Sequence, residues 1–318
     1  MTTPHRNLIL VWTICLALIG IAAGVRISQS LSEQKLPYSD ISVSIGKPLS
    51  TEKSFYGSKE SFTASGAGKA SPSASPAVPA ISARAYLAGN VATGKILLEK
   101  NSGTALPVAS MSKLITAFAA TDMLPASTTI TITPEELNVA SDTSRLAAGE
   151  SFTMGELLYP LLMNSSNVAA EALASSSDRS KFLESMKSYA WEVGMPKTYF
   201  ADPSGLSPQN VSTARDFFAL ARYLYRSRPD ILAITRIKAS SVSTTTEHGA
   251  HNFTNIHPFV RDPDFLGGKT GHTPEARDTM LTIMDIGGQP VAIVVIASDD
   301  RKKDTALIIE KVIKMPGQ

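Results

Sequence analysis

The sequence predicts an α/β domain in which an antiparallel sheet is flanked by helices and accompanied by a helical subdomain. Three observations lead to this fold class. Strand-like patterns lie at both ends of residues 81–318, apolar positions at helical spacing fill the region between them, and no segment repeats. Hydrophobic residues make up 43% of the chain and charged residues 18%, so this region can form a sizeable core.

The composition excludes several classes of protein. The chain has 318 residues and a formal net charge of +2, which does not indicate nucleic acid as a partner. Its one cysteine, Cys15, rules out a disulfide framework, a cysteine-ligated zinc site and an iron–sulfur cluster.

Residues 8–25 form an uncharged apolar run between Arg6 and Arg26. A membrane helix needs about 20 such residues, whereas the apolar part of a cleaved signal peptide is about 7–15 residues long. The run therefore favours a retained single-pass anchor within residues 1–27, with a cleaved signal ending near residues 22–24 as the alternative. Either segment places the rest of the chain outside the cytosol.

Residues 28–80 are predicted to be a flexible tether. Of the eighteen residues in 63–80, sixteen are Ala, Ser, Thr, Gly or Pro. Such a segment buries too little apolar area to offset the entropy lost on ordering. A small folded module within residues 29–56 is the alternative for the first half of the tether.

The region predicted to fold begins near residue 81 with two strands, 83–90 and 95–100, joined by a turn at 91–94. A helix is predicted from residue 110 to 124, where Pro125 ends it. The remaining predicted helices are 154–162, 168–175, 179–193, 213–226 and 303–315. The remaining predicted strands are 238–244, 276–285 and 289–298, the last two joined by a Gly-Gly turn.

Ser110 and Lys113 are the first candidates for chemistry. Residues three apart share one face of a helix, so the two side chains are expected to be adjacent. A lysine that is desolvated has a lowered pKa and can take the proton of a serine nucleophile. The spacing alone also fits a helix cap followed by an exposed lysine.

Two further motifs contain polar groups suited to a substrate amide and a carboxylate. Ser165 and Asn167 lie in a turn between two predicted helices, where a hydroxyl and a carboxamide could move a proton and hold an amide. The segment 269–271 is interpreted as a turn before the last strand pair. It offers the charge of Lys269, the hydroxyl of Thr270 and, at Gly271, room for a close backbone approach.

Taken in order and at separations of 55 and 104 residues, these motifs resemble the serine–lysine, serine–asparagine and lysine–threonine–glycine trio of penicillin-binding proteins and β-lactamases. The sequence around them is similar to that of the D-alanyl-D-alanine carboxypeptidases, the low-molecular-mass penicillin-binding proteins. The matching stretches are 107–117, 194–195, 200–206, 212–216 and 268–273. The resemblance covers residues 81–315 and implies a penicillin-binding-protein/β-lactamase-like fold.

The resemblance also implies roles. Ser110 would attack the peptide carbonyl between two D-alanines and Lys113 would accept its proton. Ser165 would pass a proton to the leaving D-alanine, and Asn167 would orient the substrate. Substrate binding would fall to five residues: Lys269, Thr270, Gly271, His272 and Arg301. The backbone N–H groups of Ser110 and His272 would form the oxyanion hole, and Arg301 would assist the carboxylate site.

The expected activity is that of a penicillin-sensitive serine-type D-Ala-D-Ala carboxypeptidase, a hydrolase that trims peptidoglycan stem peptides in the bacterial cell wall. β-Lactams are expected to acylate Ser110, and neither a cofactor nor a metal is implied. The expected location is the cell membrane, with the catalytic domain outside the cytoplasm. The catalytic domain is expected to be the last domain, without the C-terminal β-domain that some relatives of the family add.

Four alternatives remain open. A D,D-endopeptidase would use the same residues on peptidoglycan cross-links, and a non-catalytic penicillin-binding or wall-sensing protein would keep the fold alone. A β-lactamase would need a deacylating glutamate, for which the sequence offers only the segment 135–138. A metal hydrolase would need the histidines at 248, 251 and 257, which are expected to be exposed in a loop.

Two departures from the family pattern accompany the resemblance. Ser166 and Asn164 replace a common glycine and proline in the second motif, without removing a reacting group. Arg277 and Asp278 stand where smaller or aromatic residues are usual, which bears on substrate preference.

Overall fold

A computed structural model of the chain describes residues 80–315, and its centre is one five-stranded sheet in which every neighbouring pair is antiparallel. The strand order is β2 (Ile96–Lys100), β1 (Ala85–Asn90), β11 (Gln289–Ser298), β10 (Arg277–Ile286) and β9 (Phe265–Thr273), so strands from both ends of this region lie side by side. Helices pack against both faces. The structure confirms the predicted fold class of an antiparallel α/β domain.

The strands of the main sheet are β1 (Ala85–Asn90), β2 (Ile96–Lys100), β9 (Phe265–Thr273), β10 (Arg277–Ile286) and β11 (Gln289–Ser298). Three small two-stranded sheets are formed by β3 (Leu106–Pro107) with β6 (Val211–Ser212), β4 (Thr129–Thr131) with β5 (Ser151–Thr153), and β7 (Ala239–Val242) with β8 (His251–Thr254). The helices are α1 (Lys113–Met123), α2 (Pro134–Leu137), α3 (Met154–Leu162), α4 (Asn167–Ser175), α5 (Arg179–Glu192), α6 (Ala214–Ser227), α7 (Pro229–Arg236) and α8 (Arg301–Ile313).

Side-chain alternation divides the core between the two faces of the sheet. On one face, Leu87, Leu281 and Val294 join the helical subdomain, in which α1 is buried along its first eight residues. On the other face, Val295 and Ile293 pack against Ile308 of α8. The first core fixes α1, and therefore its N-terminal residues, against the sheet.

Besides elements of two to four residues for which nothing was predicted, two longer elements differ from the sequence prediction. Residues 269–271, interpreted as a turn, lie within the edge strand β9 (Phe265–Thr273). The sequence of β9 does not alternate between apolar and polar side chains, because of the glycines at 267 and 268 and the polar residues after them. It therefore does not predict a strand. Residues 229–236, for which no element was predicted, form α7, whose Pro229 occupies the first helical turn.

The helix predicted from residue 110 begins at Lys113, because residues 109–112 form a 3-10 turn that leads into α1. Within residues 80–315, no helix has both the length and the apolar character needed to span a bilayer. The predicted anchor at residues 8–25 and nearly all of the predicted tether lie outside the described residues.

Candidate active site

Ser110 and Lys113 lie where the 3-10 turn 109–112 meets α1, against the edge strand β9. Lys113 is fully buried, and its Nζ donates to three oxygens: Ser110 Oγ at 3.0 Å, Asn167 Oδ1 at 2.7 Å and the carbonyl of Ser204. An ammonium has three donors, whereas a neutral amine has two and a lone pair. The neutral amine can therefore keep two of these bonds and accept the Ser110 proton.

Burial lowers the pKa of Lys113 to about 7, although the nearby carboxylates of Asp202, Asp142 and Glu171 act in the opposite direction. The penalty arises because the charged form loses its hydration inside the protein. A large fraction of Lys113 is then neutral near pH 7, as a general base for a serine hydroxyl requires.

Ser165 and Asn167 form the wall of the site opposite β9. Ser165 has a φ of 65°, and Asn167 is the first residue of α4. The strained turn directs Ser165 Oγ to Lys269 Nζ at 2.8 Å, while Asn167 Oδ1 meets Lys113. The two lysines of the first and third motifs are therefore joined through the second motif.

Lys269 is 1% exposed and extends from the middle of β9. Its Nζ donates to Ser165 Oγ and to the carbonyl of Thr270 at 2.9 Å. Burial, and then the charges of Lys113 and Arg301, hold the pKa of Lys269 well below its usual range. An anion at this position would relieve these penalties, so the site favours a ligand with negative charge.

Gly271 allows β9 to lie directly against the nucleophile. A Cβ atom at this position would lie 2.9 Å from the backbone N of Ser110, 2.9 Å from the carbonyl of Val108 and 2.5 Å from Thr279 Oγ1. The sequence assigned Gly271 to close backbone approach. The structure places that approach between β9 and the turn that contains Ser110.

Arg301 and His272, both predicted to bind substrate, lie near the end of β9. Arg301 Nη1 donates to the carbonyl of Gly271 at 2.8 Å and to Asp278 Oδ1 at 3.3 Å. His272 Nδ1 lies 2.9 Å from the same carboxylate oxygen. Asp278 was noted in the sequence only as a departure from the family pattern. Arg277 beside it has a φ of 56° and pairs with Asp299.

Sequence reasoning missed three residues that hold the site together. The carbonyl of Ser204 accepts from Lys113, and Asp202 holds its loop by accepting from the backbone N–H groups of Ser204, Gly205 and Ser207. The resemblance to the family included residues 200–206, but a backbone acceptor leaves no signature in a side-chain pattern.

The third missed residue is Asp142, whose Oδ1 accepts from Ser166 Oγ at 2.8 Å and from the backbone N–H groups of Asn167 and Val168. Ser166, which replaces the common glycine, also caps α4 by accepting from the backbone N–H of Ala169. Together these contacts fix the turn that contains Ser165. No motif connects residue 142 with a turn more than twenty residues later.

The histidines do not behave as expected. His248 and His257 are 6% and 4% exposed, so the expectation of exposed loop histidines was wrong for both. His248 stacks on Phe152, whereas His257 lies 3.1 Å from the carbonyl of Leu281 with its pKa lowered to about 3 by burial. In the part of the chain that the structure describes, no group of three or more His, Cys, Asp or Glu residues could hold a metal ion.

The segment 135–138, considered as a source of a deacylating glutamate, is mostly the short helix α2. The side chain of Glu136 accepts from the backbone N–H of Thr133 at 2.6 Å and so completes a capping box. This carboxylate has a structural role at the start of its own helix.

Comparison with known proteins agrees with this geometry. The family model described as D-alanyl-D-alanine carboxypeptidase, peptidase family S11, matches residues 72–300. A D-alanyl-D-alanine endopeptidase from Escherichia coli is 32% identical over 229 residues, covering 68% of this chain and 72% of that protein. One from Pseudomonas aeruginosa is 31% identical over 212 residues, covering 64% and 67%.

A D-alanyl-D-alanine carboxypeptidase from Mycobacterium tuberculosis is 27% identical over 227 residues, covering 70% of this chain and 77% of that protein. Among solved structures, a Streptomyces DD-transpeptidase aligns with a TM-score of 0.68 and 26% identity, over 74% of this chain and 99% of that one. The fold, the paired lysines and the family match agree: the chain belongs to the S11 family of serine D,D-peptidases.

Proposed function

We propose that this protein hydrolyses the peptide bond that follows a D-alanine in peptidoglycan stem peptides, through an acyl-enzyme on Ser110. The observation that carries the proposal is the contact of the buried Lys113 amine with Ser110 Oγ at 3.0 Å. Lys113 takes the hydroxyl proton as Ser110 attacks the D-alanyl carbonyl. The backbone N–H groups of Ser110 and His272 stabilise the resulting oxyanion.

Collapse of the tetrahedral intermediate breaks the C–N bond, and the proton that Lys113 took from Ser110 passes through Ser165 to the leaving amine, which leaves Lys113 neutral again. Lys269 Nζ lies 2.8 Å from Ser165 Oγ, and a substrate carboxylate bound beside it would favour its charged form near that proton path. Water then attacks the ester carbonyl and Lys113 accepts its proton; as the C–O bond to Ser110 breaks, Lys113 returns that proton to Ser110 Oγ and the free enzyme is restored. Lys269 and Thr270, which lie side by side on the edge strand, are suited to the carboxylate of the leaving residue.

Two leaving groups fit this acyl-enzyme. Release of a terminal D-alanine, the carboxypeptidase reaction, is the activity expected from the sequence. Cleavage of a cross-link, the endopeptidase reaction, is the second candidate, and it is favoured by the names of the relatives that are 31% and 32% identical. Both substrates lie outside the cytoplasmic membrane, in agreement with a proposed N-terminal anchor at residues 8–25.

The test is the mass of the intact full-length protein after incubation with benzylpenicillin, beside the Ser110→Ala variant. We expect a persistent adduct on the unmutated chain and none on the variant. An adduct on both proteins would exclude Ser110 as the nucleophile, and no adduct on either would favour a wall-binding protein. An adduct lost within seconds would indicate a β-lactamase.

The leaving group is then tested with a stem pentapeptide and a D-Ala-linked dimeric muropeptide at equal concentration. Release of free D-alanine from the first identifies the carboxypeptidase, and conversion of the dimer to monomers identifies the endopeptidase. Ser110→Ala is the control for both reactions, because it removes the acyl-enzyme while leaving the fold unchanged.

A further inference from the structure

Asp278 lies on β10 directly opposite His272 of β9, and the next pair on the same face is Met280 with Thr270. Because side chains alternate along a strand, Asp278 projects from the same face of the sheet as Thr270 and His272. The proposed function places the carboxylate of the leaving residue beside this end of β9. An acidic side chain at this position therefore changes the charge of a site expected to be cationic.

Asp278 contacts Arg301, the cation expected to assist in binding the substrate carboxylate. Its Oδ1 accepts from Arg301 Nη1 at 3.3 Å and contacts His272 Nδ1 at 2.9 Å, and its Oδ2 accepts the backbone N–H of Arg301 at 3.4 Å. The same Arg301 Nη1 also donates to the carbonyl of Gly271. Arg301 is thus paired and partly neutralised before any substrate arrives.

We propose that Asp278 is a specificity-determining residue that weakens the preference of this subsite for a free α-carboxylate on the leaving residue over an α-carboxamide. This inference rests on the proposed function, because it concerns the leaving group of the same acyl transfer.

The physical argument is one of charge and of hydrogen-bond type. Asp278 pairs with Arg301 and so weakens the attraction of Arg301 for a substrate carboxylate, and the pairing is poorly screened because the Asp278 and Arg301 side chains are each only 24% exposed. A carboxamide is neutral and has two N–H donors. The Asp278 carboxylate can accept one of them, since it has about four lone-pair sites.

The experiment measures kcat/KM for two matched peptides: an acylated L-Lys-D-Ala-D-Ala with a free C-terminus, and the same peptide as its C-terminal carboxamide. In Asp278→Asn we expect kcat/KM for the free acid to rise about tenfold, while that for the amide changes by less than about threefold, as a loss of one nearby charge predicts. The second-order rate of acylation by benzylpenicillin, which also carries a carboxylate, should rise with the free acid.

The matched control is Asp299→Asn. This carboxylate is two residues from Arg301 but pairs with Arg277, so it changes the net charge equally without entering the subsite. In Asp299→Asn, the ratio of kcat/KM for the free acid to kcat/KM for the amide should equal that of the unmutated protein. An Arg301→Gln background should abolish the effect of Asp278→Asn if Asp278 acts through Arg301, and melting temperatures would show that each variant folds.

An unchanged acid-to-amide ratio in Asp278→Asn, or an equal shift in Asp299→Asn, would overturn the assignment while leaving the proposed function intact. Persistence of the full effect in the Arg301→Gln background would equally contradict the role argued here. A protein that cleaves neither peptide and forms no penicillin adduct would overturn the proposed function, and this assignment with it.

Discussion

The Nζ atom of Lys113 lies 3.0 Å from Ser110 Oγ, inside a site where the lysine has no exposure to solvent. The distance makes the pair a hydrogen-bonded nucleophile and base, and the burial sets the protonation state of the base. Its pKa of about 7 is low because the charged form is desolvated. Reactivity of the serine should therefore depend on the titration of one buried amine.

The first prediction concerns pH. Below pH 7 Lys113 is protonated and cannot accept the serine proton, so acylation by benzylpenicillin should slow about tenfold for each pH unit below the midpoint. Above the midpoint the rate should level off. Stopped-flow measurement of acylation from about pH 5 to pH 9 tests this dependence, with the melting temperature followed over the same range. A rate independent of pH between 6 and 8 would contradict the assignment of Lys113 as the base.

The second prediction concerns Lys113→Ala. Loss of a general base typically costs about 10²–10⁴-fold, and we expect acylation of Ser110 to fall within or beyond this range. The melting temperature should change little, because the desolvation penalty removed with the buried amine offsets the hydrogen bonds lost at Asn167 and Ser204. Lys187→Ala, which removes a lysine that lies over the Tyr199 ring, is the control and should acylate normally. Normal acylation in Lys113→Ala would exclude its role.

The third prediction concerns Asp142→Asn. The asparagine can still accept from the backbone of α4, so the change removes mainly negative charge. Because that charge raises the pKa of Lys113, its loss should move the rising limb of the acylation profile to lower pH. Asp178→Asn, which alters the cap of α5 instead, should leave the limb in place. A limb that does not move in Asp142→Asn would show that Asp142 acts only as a structural cap.

The fourth prediction concerns Gly271→Ala. The added Cβ would lie 2.9 Å from the backbone N of Ser110, so either β9 or the turn that contains the nucleophile must shift. We expect acylation to fall at least about 100-fold, since small misplacements of reacting groups have effects of this size. Gly103→Ala is the control, because the nearest atom to its new Cβ would be Lys197 Nζ at 3.8 Å. Equal acylation by the two variants would contradict the close approach.

The fifth prediction concerns stability. Asp304 is 1% exposed and accepts from the backbone N–H groups of Ser82 and Ala83 and from Ser298 Oγ, which ties the start of the described fold to α8. Asp304→Ala should lower the free energy of unfolding by about 2–4 kcal/mol, because several buried donors lose their acceptor. Chemical denaturation measures the change, with the exposed Asp230→Ala as control.

The pH dependence of the Asp304 contribution follows from its pKa. Burial by itself would raise the pKa of Asp304, but the hydrogen bonds from Ser298 and Ser82 lower it by more. The pKa of Asp304 in the folded protein is therefore below its ordinary value. The contribution is therefore complete above the unfolded pKa of about 3.9 and is lost as the pH falls through the folded value. The difference between Asp304→Ala and the unmutated protein should shrink in strongly acidic solution.

The sequence by itself determined the fold class and the residues of the three motifs. Periodicity located α1, α3, α5 and the β10–β11 hairpin, because these elements bury regular apolar faces whose spacing is written in the chain. The resemblance of their order and spacing to the family motifs grouped Ser110, Lys113, Ser165, Asn167 and Lys269 as one predicted set. Periodicity did not predict the strand β9, because its glycines and buried polar residues serve the candidate site and do not alternate in hydrophobicity.

Tertiary structure alone decided how these residues act. The pKa of Lys113 depends on its burial and on the carboxylates of Asp202, Asp142 and Glu171, which come from distant parts of the chain. Asp142 and Asp278 acquire their roles only because folding places one beneath the Ser165 turn and the other beside Arg301. Electrostatic effects depend on distance and desolvation, and neither quantity can be read from the linear order of residues.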